Sequence, residues 1–215
     1  MRVNIKSSLS PFILSTALGL MLSAGASQAA SLSYYLDQSN SLADGPNYLQ
    51  VTIADGADGA IDFTVEVLNA LAHVGGSTFG IQSFALNGFD GSGQVTNLTS
   101  GWSVANGGQM DGFGSFDLKL ATNGSNRVET LTFSIVGIDG DTPEDYAKFS
   151  GGNGAQGQSF FAAHVVGYRM PECRGRECAN SGFFGGSNAV PLPATAWLLG
   201  AGIIGALTRA RRRRS

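Results

Sequence analysis

Apolar and polar side chains alternate with a period of two along several short stretches of this chain, the period of strands whose two faces meet different surroundings. The clearest is 61–67, where Ile61, Phe63, Val65 and Val67 share one face and Asp62, Thr64 and Glu66 the other. Residues 48–53 read the same way. Further strands are predicted at 79–86, 101–104, 113–120 (Phe116, Leu118 and Leu120 in register), 128–136 (Leu131, Phe133 and Ile135 in register) and 160–168. Between them stand clusters of Gly, Asn and Asp at 55–59, 87–91, 106–108 and 123–126, residues that tolerate the positive φ of tight turns. No helical pattern intervenes. This spacing predicts an all-β fold of roughly seven to nine strands, an antiparallel β-sandwich that is jelly-roll-like or immunoglobulin-like. The glycine-rich run at 151–159 reads as a surface loop before the final strand.

Both ends break the pattern. Residues 1–29 open with Arg2 and Lys6, continue through an apolar stretch to Ala26 and finish in Ser27-Gln28-Ala29-Ala30. A basic start, an apolar middle and small residues at 27 and 29 predict a signal peptide cleaved before Ala30. At the other end Val190-Pro191-Leu192-Pro193 precedes fourteen uncharged residues, 194–207, and then Arg209, Arg211, Arg212, Arg213 and Arg214. A spanning helix needs about 17–25 residues, which the stretch from Val190 to Thr208 supplies. The arginines hold their end on the cytoplasmic side, so the segment is expected as one C-terminal transmembrane helix with the domain outside. The organisation read from the chain is therefore a signal peptide (1–29), a β-sandwich domain (30–170), a cysteine loop with a Gly/Ser-rich linker (171–189) and a terminal membrane segment (190–215).

Composition sharpens this. With 31 glycines among 215 residues and only 13% charged, the chain lacks the makings of a helical bundle, and 43% hydrophobic residues argue against disorder. The net charge of −3 hides an asymmetry, because seven of the 13 basic residues sit in the two terminal segments. Six basic residues in the domain face all 16 acidic ones, which argues against nucleic acid as a partner.

Candidate chemistry is sparse. Cys173 and Cys178, which enclose four residues in a chain expected to be exported, are expected to form a local disulfide, and no set of zinc ligands accompanies them. Asp139, Asp141, Glu144 and Asp145 lie on one turn and offer hard oxygens to Ca²⁺, or form a solvated acidic turn; Asp55, Asp58 and Asp62 are a poorer set. No other cofactor is indicated. A serine hydrolase lacks its nucleophile motif and has only His73 or His164 as base, and His164 reads as a packed strand residue. Trp102, Tyr34 and Tyr35 are candidate platforms for sugar rings.

A proline motif, a glycine-containing apolar helix and an arginine cluster, in that order at the C terminus, resemble the PEP-CTERM sorting segment of Gram-negative bacteria, here with Val-Pro-Leu-Pro in place of Pro-Glu-Pro. The resemblance covers residues 190–215. It implies that Val190, Pro191, Leu192 and Pro193 are read by an exosortase, a membrane-embedded cysteine transpeptidase that cuts near the motif. It implies a membrane-anchored intermediate, then a protein at the cell surface or outside the cell, where members of this family accompany polysaccharide-rich envelopes and biofilms. The expected function is thus a non-enzymatic structural or interaction role, with a carbohydrate-binding module as the alternative and a secreted hydrolase as the third reading.

Overall fold

The computed structural model describes residues 31–71, 78–168 and 180–189. The signal peptide, His73, both cysteines, the proline motif, the apolar C-terminal stretch and the arginine cluster lie outside the described residues. Among the described residues no helix is long and apolar enough to cross a membrane.

The described chain is mostly strand. In order these are β1 (Ser31–Leu36), β2 (Gln38–Ser39), β3 (Leu49–Asp55), β4 (Ile61–Val67), β5 (Gly80–Leu86), β6 (Gln94–Thr96), β7 (Trp102–Met110), β8 (Gly114–Thr122), β9 (Thr130–Val136), β10 (Phe161–Val166), β11 (Ser181–Gly186) and β12 (Asn188–Ala189). They form two antiparallel sheets of six, ordered β12-β1-β3-β4-β9-β6 and β2-β11-β10-β5-β8-β7. One apolar core lies between them. The first sheet supplies Leu49, Val51, Ile53, Phe63, Val65, Leu131, Phe133 and Ile135, and the second supplies Ile81, Phe84, Leu86, Leu118, Leu120, Phe161, Val165 and Phe184. The arrangement is sandwich-like, as the alternation of 61–67 requires: its apolar face is buried while Asp62 and Glu66 stay exposed.

Aromatic rings fill the centre. Phe63 stacks on Phe133 at 4.6 Å, Tyr146 meets Phe63 edge-on at 5.0 Å, and Phe84 bridges Phe133 and Phe161. In β5 the period of two alone would turn Ile81 and Phe84 to opposite faces. A bulge resolves this: His164 pairs with Ser83 but Val165 with Ile81, so Gln82 is the extra residue and both apolar side chains face inward.

One side of the sandwich is stitched shut. The chain passes from the first sheet to the second between β1 and β2, at Asp37, and returns between β11 and β12, at Ser187. The two crossings run side by side: β1 pairs with β12, β2 pairs with β11, and Asn188 donates to Asp37 Oδ2 at 2.6 Å. A side chain at Gly186 would overlap the backbone of Tyr35 and Leu36 there, so only glycine lets the crossings touch.

Three expectations need correction. The segment 171–189, expected as cysteine loop and linker, ends in β11 and β12, which belong to the two sheets, so β10 is not the final strand. The turn expected at 106–108 lies inside β7, which runs on to Met110; Gly107 takes φ +79 within the strand instead of ending it. The described strands number twelve, more than expected, because β2, β6 and β12 have only two or three residues each and carry no readable alternation.

Candidate cleft on the outer face of the second sheet

The outer face of the second sheet is partly roofed by the turn of the β7–β8 hairpin. Small residues there, Ala85 on β5 and Ala162 on β10, leave room for Met110, Phe113 and Phe116, and together they form a second, smaller apolar cluster. Phe113 lies directly over Gly185 of β11, where a methyl group would overlap its ring. Glycine at 185 therefore fixes how close the hairpin sits to the sheet.

The glycine-rich run at 151–159, expected as a plain surface loop, is bonded firmly to that hairpin. Ser115 and Gly151 exchange two backbone hydrogen bonds of 2.8 Å, and Gln156 N–H donates to Gly112 O at 2.8 Å. The buried Ser150 hydroxyl donates to Phe113 O at 2.5 Å and accepts from Ser159 N–H at 3.2 Å.

Between hairpin and loop opens a cleft of about 540 Å³, whose side-chain lining includes Gln109, Asp111, Ser115, Asn153 and Phe183. Its polar groups are held in place. Gln109 donates to Ser115 Oγ at 2.7 Å. Asn40 donates to Asp111 Oδ2 at 2.8 Å and accepts from Phe183 N–H at 2.9 Å, clamping carboxylate and strand together. The Phe183 ring stacks on His164 with centroids 4.3 Å apart and planes 10° off parallel. Burial first, then the positive charges of Arg127 and Lys119, push the His164 pKa below its ordinary value, so the ring is neutral at pH 7. Lys119 reaches the cleft wall by donating to Gln109 O at 3.3 Å, and Arg127 is anchored to Gln82 Oε1 and Thr78 O. The arrangement offers an aromatic ring beside amide, hydroxyl and carboxylate groups, which suits a ligand with both apolar faces and hydroxyls.

The expected site residues fare unevenly. Tyr34 is no sugar platform: it is 6% exposed, packed against Phe160 and Phe161 in the main core. Tyr35 is half-buried on β1, and half-buried Trp102 packs against the core and donates its indole N–H to Asn126 O at 3.1 Å. The calcium turn is organised differently from a metal loop. Asp145 Oδ2 accepts from the Thr142 N–H and hydroxyl, capping the short 3₁₀ turn Pro143–Tyr146, and Asp141 Oδ2 accepts from the buried Tyr146 hydroxyl. Likewise Asp62 Oδ1 accepts from Ser134 Oγ at 2.6 Å. Among the described residues no three His, Cys, Asp or Glu side chains converge into a metal-binding group. The cysteine pair, the proline motif and the arginines lie outside the described residues.

The sequence reading missed Gln109, Asp111, Ser115 and Phe183. Phe183 was hidden in a segment taken as linker, although Phe183 and Phe184 are adjacent and so point to opposite faces of whatever strand holds them. The chain matches no protein-family description, no curated protein and no solved structure.

Proposed function

We propose that this chain is an exported, non-enzymatic protein of the cell surface or extracellular matrix, sorted by an exosortase that reads Val190-Pro191-Leu192-Pro193. One observation supports the reading above others. The strand that follows the signal segment, β1, pairs directly with the strand that precedes the proline motif, β12, with Tyr34 opposite Ala189 and Tyr35 opposite Asn188. The described domain thus begins and ends at the same side of one sheet, and the apolar clusters of the described residues lie between those two ends. In finer detail we read the two six-stranded antiparallel sheets as a jelly-roll-like or immunoglobulin-like sandwich.

Replacing Pro191 and Pro193 by Ala tests the sorting step. Alanine lets the helix extend through the motif, so export should continue while the protein stays membrane-bound and uncleaved in a host that has the exosortase. An unchanged ratio of released to membrane-bound domain would mean the motif is not read.

The cleft favours a second reading, carbohydrate binding by the same exported domain, with Phe183 as the aromatic platform in place of Tyr34. Affinity electrophoresis of the protein against neutral and acidic polysaccharides, repeated with Phe183→Ala, checks it. Retardation that the substitution abolishes supports it; no retardation in any gel removes it.

A further inference from the structure

Among the described residues the sheets have four edges, and three of them end in strands of two or three residues. β12 and β2 have two residues each and are continuous with the crossings that close the sandwich, and β6 has three. The fourth edge, β7, has nine residues. A strand at a sheet edge turns the N–H and C=O of alternate residues outward, and proteins that remain monomeric disarm such edges with shortness, Lys, Pro, bulges or a covering element. β7 has the sequence WSVANGGQM, with neither a charge nor a proline. Its second half is disarmed, since Gly107 breaks the extended backbone and Met110 tucks into the smaller apolar cluster. Among the described residues no strand pairs with the outer side of its first half. Residues 102–106 pair regularly with β8, Trp102 opposite Thr122 through Asn106 opposite Leu118. Ser103, Val104, Ala105 and Asn106 are all exposed, and Val104, at 45%, is one of two large apolar residues left in solvent among the described residues.

We infer that residues 102–106 form a docking edge for a second copy of this chain. The geometry of an open edge calls for a strand, and the segment is complementary to itself. Antiparallel pairing about a two-fold axis through Val104 sets Val104 against Val104, Ser103 against Ala105 and Trp102 against Asn106, an isologous contact joining two second sheets into one. Charge singles out the same place. Acidic residues greatly outnumber basic ones in the domain and oppose the approach of two copies, while this edge puts no carboxylate into the contact. Salt screens the repulsion between acidic surfaces and leaves the uncharged edge untouched, so association strengthens as ionic strength rises. The inference is independent of the sorting reading and of the cleft.

Sedimentation velocity on the protein purified from cells that make it decides the matter, run over a concentration series at low and raised salt. The wild type is expected to dimerise with concentration, and more readily in salt. Val104→Lys and Val104→Glu each place like charges face to face across the two-fold axis and should sediment as monomers, with circular dichroism and thermal midpoints like the wild type because the site is exposed. Mixed in equal amounts, the two variants should associate again. A wild type that is monomeric at its highest soluble concentration in both salts overturns the inference. So does a Val104→Lys variant that associates like the wild type, or a mixture no more associated than its components.

Discussion

Phe133 and His164 show how much a single side chain decides here. Phe133 lies between the sheets, 2% exposed, stacked on Phe63 and touching Phe84. Neighbours fixed in two sheets cannot collapse into the space it would leave, so Phe133→Ala should cost about 3–5 kcal/mol in urea unfolding, with an unchanged dependence on urea. His164 sits on the other face of the second sheet, and its pKa is held below the ordinary 6.5 by burial and by Arg127 and Lys119. The unfolded chain therefore takes up the proton more readily than the folded one, and stability falls as pH drops below that ordinary value. Replacing His164 by Gln should remove that part of the loss, which urea midpoints at about pH 7 and pH 5 would reveal. If both proteins lose stability equally, His164 is not titrating as its surroundings require. The role of Phe133 was legible in the sequence from its register with Leu131 and Ile135. The stacking of His164 on Phe183 was not, because it joins residues of two strands, one of which had not been recognised.

Among the elements, legibility followed exposure. β4 announced itself because one face meets solvent and the other the core, so polar and apolar residues alternate. β11 meets Phe113 over Gly185 on its outer face and the main core and the crossing on its inner face, at Phe184 and Gly186, and such close approach demands glycine where alternation would otherwise be read. Its sequence, SGFFGG, therefore looked like linker. β7 was cut short for a related reason: Asn106-Gly107-Gly108 has the chemistry of a turn, yet its pairing with β8 continues to Met110 opposite Gly114. The hairpin that results is the roof of the cleft, and its seating depends on Gly185. Gly185→Val would push Phe113 off the sheet and should cost about 1–3 kcal/mol by overpacking, while faster amide exchange in residues 109–115 reports the loosened hairpin. Exchange as slow as in the wild type would show that the hairpin is held by its bonds to the 150–159 loop alone.

Across the whole molecule, the two crossings at Asp37 and Ser187 place the beginning and the end of the described domain next to each other, and the proposed sorting draws its support from that placement. Neither the pairing of β1 with β12 nor the closed side of the sandwich was readable from the chain, since strands of two residues carry no period and long-range pairing leaves no local mark. The expectation for the terminal segments rests instead on local chemistry, charge, apolar length and proline in a fixed order, and falls on residues outside those described. We propose that both segments are removed and that the domain between them reaches the surface. Intact mass measurement and terminal sequencing of the protein recovered from the cell exterior test it most directly. The expected chain starts at Ala30 or within a residue or two of it and ends near the motif at 190–193, without the arginine cluster. A chain that starts at Met1 and keeps Arg211 to Arg214, or that is found only inside the cell, would contradict it.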